Sequence, residues 1–367
     1  MIAPTGPGWT ALGAAATLGV VGRLLALTDL FIVAAGLAAA TIIGMVIVAI
    51  RQPRVAITRH IRPLLLTVGH TGRVDLRIEV PPARRSPPID LIEPVGPRHS
   101  ARLHLDSLPS GKDVTVSYQV PTRHRGRVLI GPLVIDRDDP IGLAHHRRMA
   151  LGRDEILVAP RAELVPLPEL GRGPLGQRLL TAAHHRGIGE FDGLRDYGPG
   201  DELRMIDWKA SARHDDLKVR LTEPPHLTRF IVILDQDSDE HPFEVAVTVA
   251  ASLVVSAEHG GLTTRLVTTD HDLSGPDIAD RALRALAVIT PNGELATIER
   301  DPSEGLGLIV VITPSSRSSA WQAAQRVTDP SLLLVGLFTD PDDPGDIAAR
   351  SAGEFVDNWC RLVGQEA

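Results

Sequence analysis

The chain of 367 residues contains one cysteine, Cys360. A single thiol excludes an intramolecular disulfide and a zinc site built from several thiolates, and it fits a reducing compartment. Aromatic residues make up only 3% of the chain. The interleaved rings and cations of a nucleic-acid groove are therefore missing. Lysine is nearly as scarce: Lys112, Lys209 and Lys218 are the three present. From Ile231 onward there is none, and 22 Asp and Glu stand against 8 Arg, a net charge of −14. The whole chain carries −7, which leaves +7 on residues 1–230 by difference. An acidic C-terminal half repels phosphate and favours a basic partner or a cation, so nucleic acid is not expected as a partner. The positive excess on the N-terminal side fits a surface facing anionic lipid.

What is abundant is apolar sequence near the start. Leu30–Ile50 holds 21 residues without a charge, about 30 Å as a helix, the thickness of a bilayer's hydrocarbon core. Trp9–Leu27 is apolar except for Arg23, and Thr28–Asp29 separates the two stretches. Residues 1–52 are thus expected to form a transmembrane hairpin with spans at about 9–27 and 30–50, in contact with membrane lipid. Arg51, Arg54, Arg59 and Arg62 follow the second span. The positive-inside rule places that end in the cytoplasm, and two spans return the N-terminus to the same side. A signal peptide fits poorly, because no basic segment precedes Trp9 and the apolar stretch is too long.

From residue 55 to 160 the hydropathy alternates with period two, as in Val74–Val80, Ala101–Asp106 and Asp113–Val120. Turn-rich pieces separate these runs, which predicts a β-rich, sandwich-like domain. Residues 161–227 read as a connector of loop and helix. The pairs His145–His146 and His184–His185 invite a metal reading, but adjacent side chains diverge and neither pair has a third ligand at useful spacing.

Within the connector, residues 187–220 are dense in charge yet hold Phe191, Leu194, Tyr197, Ile206 and Trp208. Asp201 after Pro199–Gly200 is placed to cap a short helix. Arg195, Arg204, Lys209 and Arg213 can pair with Asp196, Asp201 and Asp207, since a guanidinium holds a carboxylate through two hydrogen bonds. The apolar residues would pin this network to the neighbouring domain. Two readings stand: a partner-docking or anion-binding surface, and a well-paired structural linker.

Residues 228–367 alternate strand and helix. Arg229–Asp235, Thr263–Thr269, Gly307–Thr313 and Ser331–Thr339 are apolar runs, and helical stretches separate them. Strands buried on both faces belong to a parallel sheet, here a doubly wound α/β fold. The loops at their carboxyl ends carry Asp235, Gln236, Asp237, Ser238 and Asp239, then Thr268–Thr269–Asp270, then Thr313–Pro314–Ser315–Ser316. Oxygen-rich loops of this kind suit Mg²⁺ or Ca²⁺. No glycine-rich phosphate loop follows the first strand, which argues against a nucleotide-binding domain.

The run Gly193, Leu194, Arg195, Tyr197, Pro199, Gly200, Asp201, Arg204, Asp207, Trp208, Lys209, Ala212, Arg213 resembles the signature of the bacterial "domain of unknown function 58" family. The resemblance implies a membrane hairpin, a β-rich segment, this motif and a C-terminal von Willebrand A-like domain. It also implies partnership with a MoxR-type AAA+ ATPase in the maturation or assembly of a client protein at the bacterial inner membrane. One departure stands out. The metal site of von Willebrand A domains begins Asp-x-Ser-x-Ser, whereas Asp235, Asp237 and Asp239 occupy those places here. Thr268 or Thr269 matches the expected threonine, and no aspartate follows the central strand. Asp235, Asp237, Asp239 and Thr268 are thus the candidate metal ligands, in a site either altered or degenerate.

The reading that follows is a multi-pass inner-membrane protein with its soluble domains cytoplasmic, a protein–protein scaffold or adaptor and not an enzyme. Its candidate docking residues are Arg195, Tyr197, Asp201, Arg204, Asp207, Trp208, Lys209 and Arg213. A divalent-metal-dependent, phosphatase-like hydrolase using the Asp235 cluster is a competing reading, although no lysine lies near the other strand ends to meet a phosphate. A third is an envelope structural protein with its soluble part outside.

Overall fold

The computed structural model describes residues 1–50, 55–63, 65–82, 85–186, 191–199, 201, 203, 206–213, 216–222, 226–237, 239–293, 298, 305–327, 331–340, 343 and 346–365. The chain is a mixed α/β protein with two apolar N-terminal helices and several sheets. It divides into two compact units, Met1–Val158 and Ala159–Ala367.

The first unit begins with a short strand, β1 (Ile2–Pro4), followed by α1 (Gly6–Leu25) and α2 (Thr28–Ile50). Thr5 caps α1 by accepting a hydrogen bond from the Gly8 amide at 3.1 Å, with Pro7 in the first turn. Ala26 adopts a left-handed conformation (φ 56°) and ends the helix. The first helix therefore starts earlier and stops earlier than the hydropathy run suggests. Both helices are long and apolar enough to cross a membrane. They pack along each other, and most of their large side chains, Val20, Leu24, Ile32 and Ile43 among them, are exposed.

Ten strands complete this unit: β2 (Ala56–Arg62), β3 (Leu65–Thr67), β4 (Gly72–Glu79), β5 (Ile89–Val95), β6 (His99–Leu105), β7 (Asp113–Val120), β8 (Gly126–Ile130), β9 (Leu133–Asp138), β10 (Ala144–Leu151) and β11 (Asp154–Ala159), whose last residue falls in the second unit. One sheet runs β1-β10-β9-β5-β8-β11-β3, with β6 beside β5, and a three-stranded sheet runs β2-β4-β7. In β4, Val74, Leu76 and Ile78 point inward while Arg73, Arg77 and Glu79 are exposed. Their apolar face shares one core with Ile89, Leu91, Ile130, Ile135 and Ile156 of the larger sheet. Burying such side chains contributes about 1.5–3 kcal/mol each.

The strand β1 falls in a segment expected to be membrane hairpin alone. It pairs antiparallel with β10, Ile2 opposite His146 and Pro4 opposite Ala144. Arg59, expected as a cation flanking the membrane, instead points into the sandwich, where it pairs with Glu93. Arg51 and Arg54 lie outside the described residues.

The second unit opens with an extended run whose Val165 amide donates to Ser256 Oγ at 2.9 Å and whose Pro166 carbonyl accepts from Trp359 Nε1 at 2.8 Å. Next come α3 (Gly173–Arg186), β12 (Phe191–Asp196), α4 (Trp208–Ser211), β13 (Lys218–Thr222), β14 (Leu227–Leu234), α5 (Glu240–His259), β15 (Thr263–Val267), β16 (Asp272–Ser274), α6 (Ile278–Val288), β17 (Leu306–Thr313), α7 (Ser319–Val327), β18 (Leu332–Phe338), β19 (Ile347–Ala348) and α8 (Ala352–Val363). The main sheet has the order β16-β15-β14-β17-β18-β19, parallel except for β16. Both faces are covered. Phe230, Val232 and Leu234 of β14 pack with α3, α5, α6 and α8, whereas Ile231 and Ile233 pack with α7. That coverage explains why β17 and the Phe230–Leu234 part of β14 are apolar without interruption.

Candidate functional site

The motif folds as a two-stranded ribbon, with Leu194 opposite Arg220 and Asp196 opposite Lys218. The turn beyond β12 is closed by Asp201. Its Oδ2 accepts from Arg195 at 2.6 Å and from the Gly198 amide at 2.8 Å, and its Oδ1 takes the second guanidinium nitrogen. The Arg195 guanidinium, with the Gly198 amide, holds the Asp201 carboxyl at about 2. On the return, Asp207 Oδ1 accepts from the Ala210 amide at 2.9 Å and caps α4, while the Asp207 amide donates to the Lys218 carbonyl at 2.9 Å. Ser211 Oγ accepts from the Lys218 amide and donates to the Asp207 carbonyl, each at 2.8 Å. The Lys218 ammonium pairs with Asp196. Tyr197, half-buried, joins the ribbon through its amide, which donates to the Leu217 carbonyl at 2.8 Å.

Two expectations change here. The described helix is capped by Asp207 and not by Asp201, because Asp201 is taken up by Arg195 and the turn amide. The apolar residues do not all pin the motif down either. Ile206 and Val219 are buried beside each other. Trp208, however, is 64% exposed and Leu203 67%, and Leu194 and Leu217 also face outward. The four-residue helix turns its first side chain, Trp208, away from the ribbon. Lys209 and Arg213 are exposed and form no ion pair with a described residue. Arg204, Gly200, His214 and residues 187–190 lie outside the described residues.

The strand-end loops of the main sheet form a second cluster. Asp235 ends β14 and is 1% exposed. Its Oδ2 accepts from Thr313 Oγ1 at 2.7 Å, and its Oδ1 accepts from the Asp237 amide at 3.1 Å. Thr313 Oγ1 lies 2.5 Å from Ser318 Oγ, which also accepts from the Trp321 amide at the start of α7. Burial pushes the Asp235 carboxyl above its ordinary value, against the opposing pull of Thr313, the Asp237 amide and Ser318. Gln236 is equally buried and ties the loops together. Its Nε2 reaches Asp270, Asn292 and the Thr290 carbonyl, and its Oε1 accepts from the Thr269 amide at 2.9 Å.

Asp237 is exposed, Asp239 precedes α5, and Thr268 Oγ1 accepts from the His271 amide at 2.9 Å. Ser238 lies outside the described residues. The four candidate ligands therefore share one edge of the sheet, but Asp235 and Thr268 spend their oxygens on neighbouring protein groups. Among the described residues no three His, Cys, Asp or Glu side chains converge on a metal position. The donor set present does not fit a divalent ion without rearrangement. His146 is buried in β10, and burial lowers its imidazole pKa. Gln236 stands among the strand-end residues of the sequence but not among the candidate ligands, and its bridging role is new. Its position between Asp235 and Asp237, at the end of a buried strand, is the signal that could have found it.

Residues 193–308, about a third of the chain, match the family model described as "Protein of unknown function DUF58". The chain is 33% identical over 78 residues to "Uncharacterized protein YeaD" of Bacillus subtilis (strain 168), a match spanning 21% of this chain and 19% of that one. Among solved structures it is similar to the CARDB domain of the PF1109 protein from Pyrococcus furiosus, with 9% identity and a TM-score of 0.23 over 29% of this chain and 88% of that one. It is also similar to the C-terminal domain of wzt, with 14% identity and a TM-score of 0.23 over 29% and 74% of the two chains. Likeness at that level carries neither fold nor function. The family match begins inside the ribbon and ends in β17, so the stretch that is similar to DUF58 proteins holds both the motif and the Asp235 loop.

Proposed function

We propose that this protein is a membrane-anchored scaffold that presents the motif ribbon to a protein partner. The observation that carries this reading is the outward Trp208. Leu203, Leu194 and Leu217 of the same motif are exposed as well, and so are the cations Lys209 and Arg213, which follow Trp208 in the chain. Aromatic anchors rimmed by arginine and lysine suit a partner surface with an apolar pocket and acidic edges. The part-buried hydrogen bonds around Asp207, Ser211 and Lys218 tie Trp208 and Lys209 to the ribbon, and such preorganisation lowers the entropic cost of docking.

The partner that the family resemblance suggests is a MoxR-type AAA+ ATPase, acting on a client protein. The main sheet, with helices on both faces and an aspartate following β14, its first strand in the chain, supports a von Willebrand A-like reading of the second unit. The pairing of β1 with β10 supports an even number of membrane crossings, since it returns both ends of the helical hairpin to one side. This favours a two-pass anchor in the bacterial inner membrane, and the assignment of both soluble units to the cytoplasm rests on the arginines that follow α2, such as Arg51 and Arg54. A reporter fused to the C-terminus tests that orientation. Anchoring one partner raises its effective concentration for the second contact.

The experiment is a titration of the full chain in detergent micelles with a purified MoxR-type ATPase from the same genome. The scaffold reading predicts saturable binding that the W208A/K209E pair weakens at least tenfold. Equal binding by both forms would overturn it. Mg²⁺ or Ca²⁺ at Asp235, Asp237, Asp239 and Thr268 is a separate proposal, tested by calorimetry of the wild type beside D235A. Since an ion there has to draw Asp235 away from Thr313 and Ser318, we expect no heat of binding.

A further inference from the structure

We propose that the sandwich of the first unit sits in the bilayer interface through its β9–β10 turn, clamped to the foot of the helical hairpin, and does not hang from the hairpin on a free linker. The inference rests on the reading of α1 and α2 as the membrane anchor. Four contacts seat the turn. The Thr5 amide donates to the Leu143 carbonyl at 3.0 Å, and Thr5 Oγ1 donates to the Gly142 carbonyl at 2.5 Å. A Cβ on Gly8 of α1 would lie 2.0 Å from the Leu143 carbonyl oxygen. A Cβ on Gly44 of α2 would lie 3.1 Å from the Asp139 carboxylate. Glycine at both places is therefore what lets the backbone approach so closely. Thr41 and Val48, on the same side of α2 as Gly44, are fully buried.

The level of these contacts fixes the depth. Gly44 stands six residues before the end of α2, about 9 Å along the axis at 1.5 Å per residue. Below it the helix is still apolar and uncovered: Ile50 is 71% exposed, and Val46 also faces out. If lipid covers α2 down to Ile50, the turn at the height of Gly44 lies at or beneath the surface. The turn is made for such a place. Its tip is Pro140–Ile141, with Ile141 68% exposed. Trp9, 63% exposed at the foot of α1, belongs to the residue type enriched where acyl chains meet headgroups.

The polar groups of the turn are largely satisfied from within, which lipid requires. Asp139 is buried, and its carboxylate accepts from the amides of Ala144 at 2.6 Å and Ile141 at 3.1 Å. The Gly142 amide donates to the Asp139 carbonyl at 3.0 Å, and the Asp139 amide to the Ala144 carbonyl at 2.9 Å. Pro140 has no amide hydrogen to satisfy. Asp138, exposed at the foot of the turn, faces His145 across the ladder.

The test uses the full chain with Cys360 replaced by alanine, carrying a single environment-sensitive fluorophore and reconstituted in phosphatidylcholine–phosphatidylglycerol vesicles. Labels are placed at Ile141→Cys and at Pro140→Cys, at Ile32→Cys in the hairpin, and at Thr115→Cys on an exposed strand of the sandwich. Lipids spin-labelled near the headgroup or at mid-chain serve as quenchers. The proposal predicts that 140 and 141 are quenched, about twofold more by the shallow label than by the deep one, as an interfacial depth of about 5–10 Å requires. Position 32 is quenched by lipid and position 115 is not. Quenching at 32 with 140 and 141 behaving like 115 overturns the seated turn while leaving the anchor intact. No quenching at 32 overturns the anchor, and the inference with it.

Discussion

Removing the Glu93 carboxylate from the sandwich should be among the most damaging single changes in the first unit. Arg59, on the strand that leaves α2, has a side chain only 3% exposed, and that of Glu93 is 1% exposed. The guanidinium holds Glu93 Oε1, Asp154 Oδ2 and, at 3.1 Å, the Gly152 carbonyl, while Tyr118 Oη donates to Glu93 Oε2 at 2.7 Å. The Arg59 Nε is buried without a hydrogen-bond partner among the described residues. Desolvation first, then Glu93, pushes the Tyr118 hydroxyl well above its ordinary pKa, so it stays a donor. Glu93→Ala leaves a buried cation facing a cavity and a tyrosine hydroxyl without its acceptor, a loss of about 3–5 kcal/mol. For a unit of this size a loss of 1 kcal/mol lowers Tm by about 2–4 °C, so the expected shift is about 6–20 °C. The assay is thermal melting of the full chain in detergent by circular dichroism. Fluorescence of Trp208, Trp321 and Trp359, read in a background with Trp9 changed to phenylalanine, follows the second unit as an internal control. The triple variant R59M/E93L/Y118F replaces the whole network by apolar groups and should recover most of the loss. A Glu93→Ala shift below about 2 °C, or a triple variant melting with Glu93→Ala, would refute the reasoning.

Other predictions follow from the two candidate sites. Asp235 has a raised carboxyl pKa, so the fold favours its protonated form, and its ionisation costs stability as pH rises through the folded value. D235N should therefore raise Tm at neutral pH without divalent ions, and the gain should vanish below about pH 4, where aspartate is protonated in the unfolded chain too. A gain independent of pH would contradict this. The Asp201 carboxyl is depressed from 3.8 to about 2, so its closure of the ribbon turn is present above the ordinary value and lost as pH falls toward 2. Proteolytic cleavage between Asp196 and Leu217 should accelerate over that window in the wild type, and D201N should be cleaved faster already at pH 7. Gly8→Val places its side chain on the Leu143 carbonyl and should release the hairpin foot, seen as faster amide exchange in β1 and β10.

Much of this architecture is legible in the residues. The apolar runs of α1, α2, β14 and β17 follow from length and composition, and β4 and β7 from alternation. Short or charged elements are not legible. β1 and β16 have three residues each, too few for a period to appear. β10 reads AHHRRMAL, and its charges hide a strand that pairs on both edges. Glu93 could have been found, because it shares the inward phase of Ile89, Leu91 and Val95, and a carboxylate at such a position demands a buried partner. In the motif, sequence reasoning named the residues but reversed two roles. Asp201 looked like a helix cap and proved to close a turn, and Trp208 looked like an anchor to the core and faces solvent. Which side of a four-residue helix turns outward is set by the ribbon beneath it, a long-range feature that no local pattern encodes.

The most direct test of the account places a photo-crosslinking amino acid at Trp208 in the full chain, in cells that express the MoxR-type ATPase, with Glu155 on the sandwich as the control position. The account predicts a crosslink to the ATPase from position 208, lost when Lys209 and Arg213 are both changed to glutamate, and none from position 155. A crosslink to the ATPase from 155 but not from 208, or one from 208 that survives the charge reversal, would contradict the motif ribbon as the docking surface.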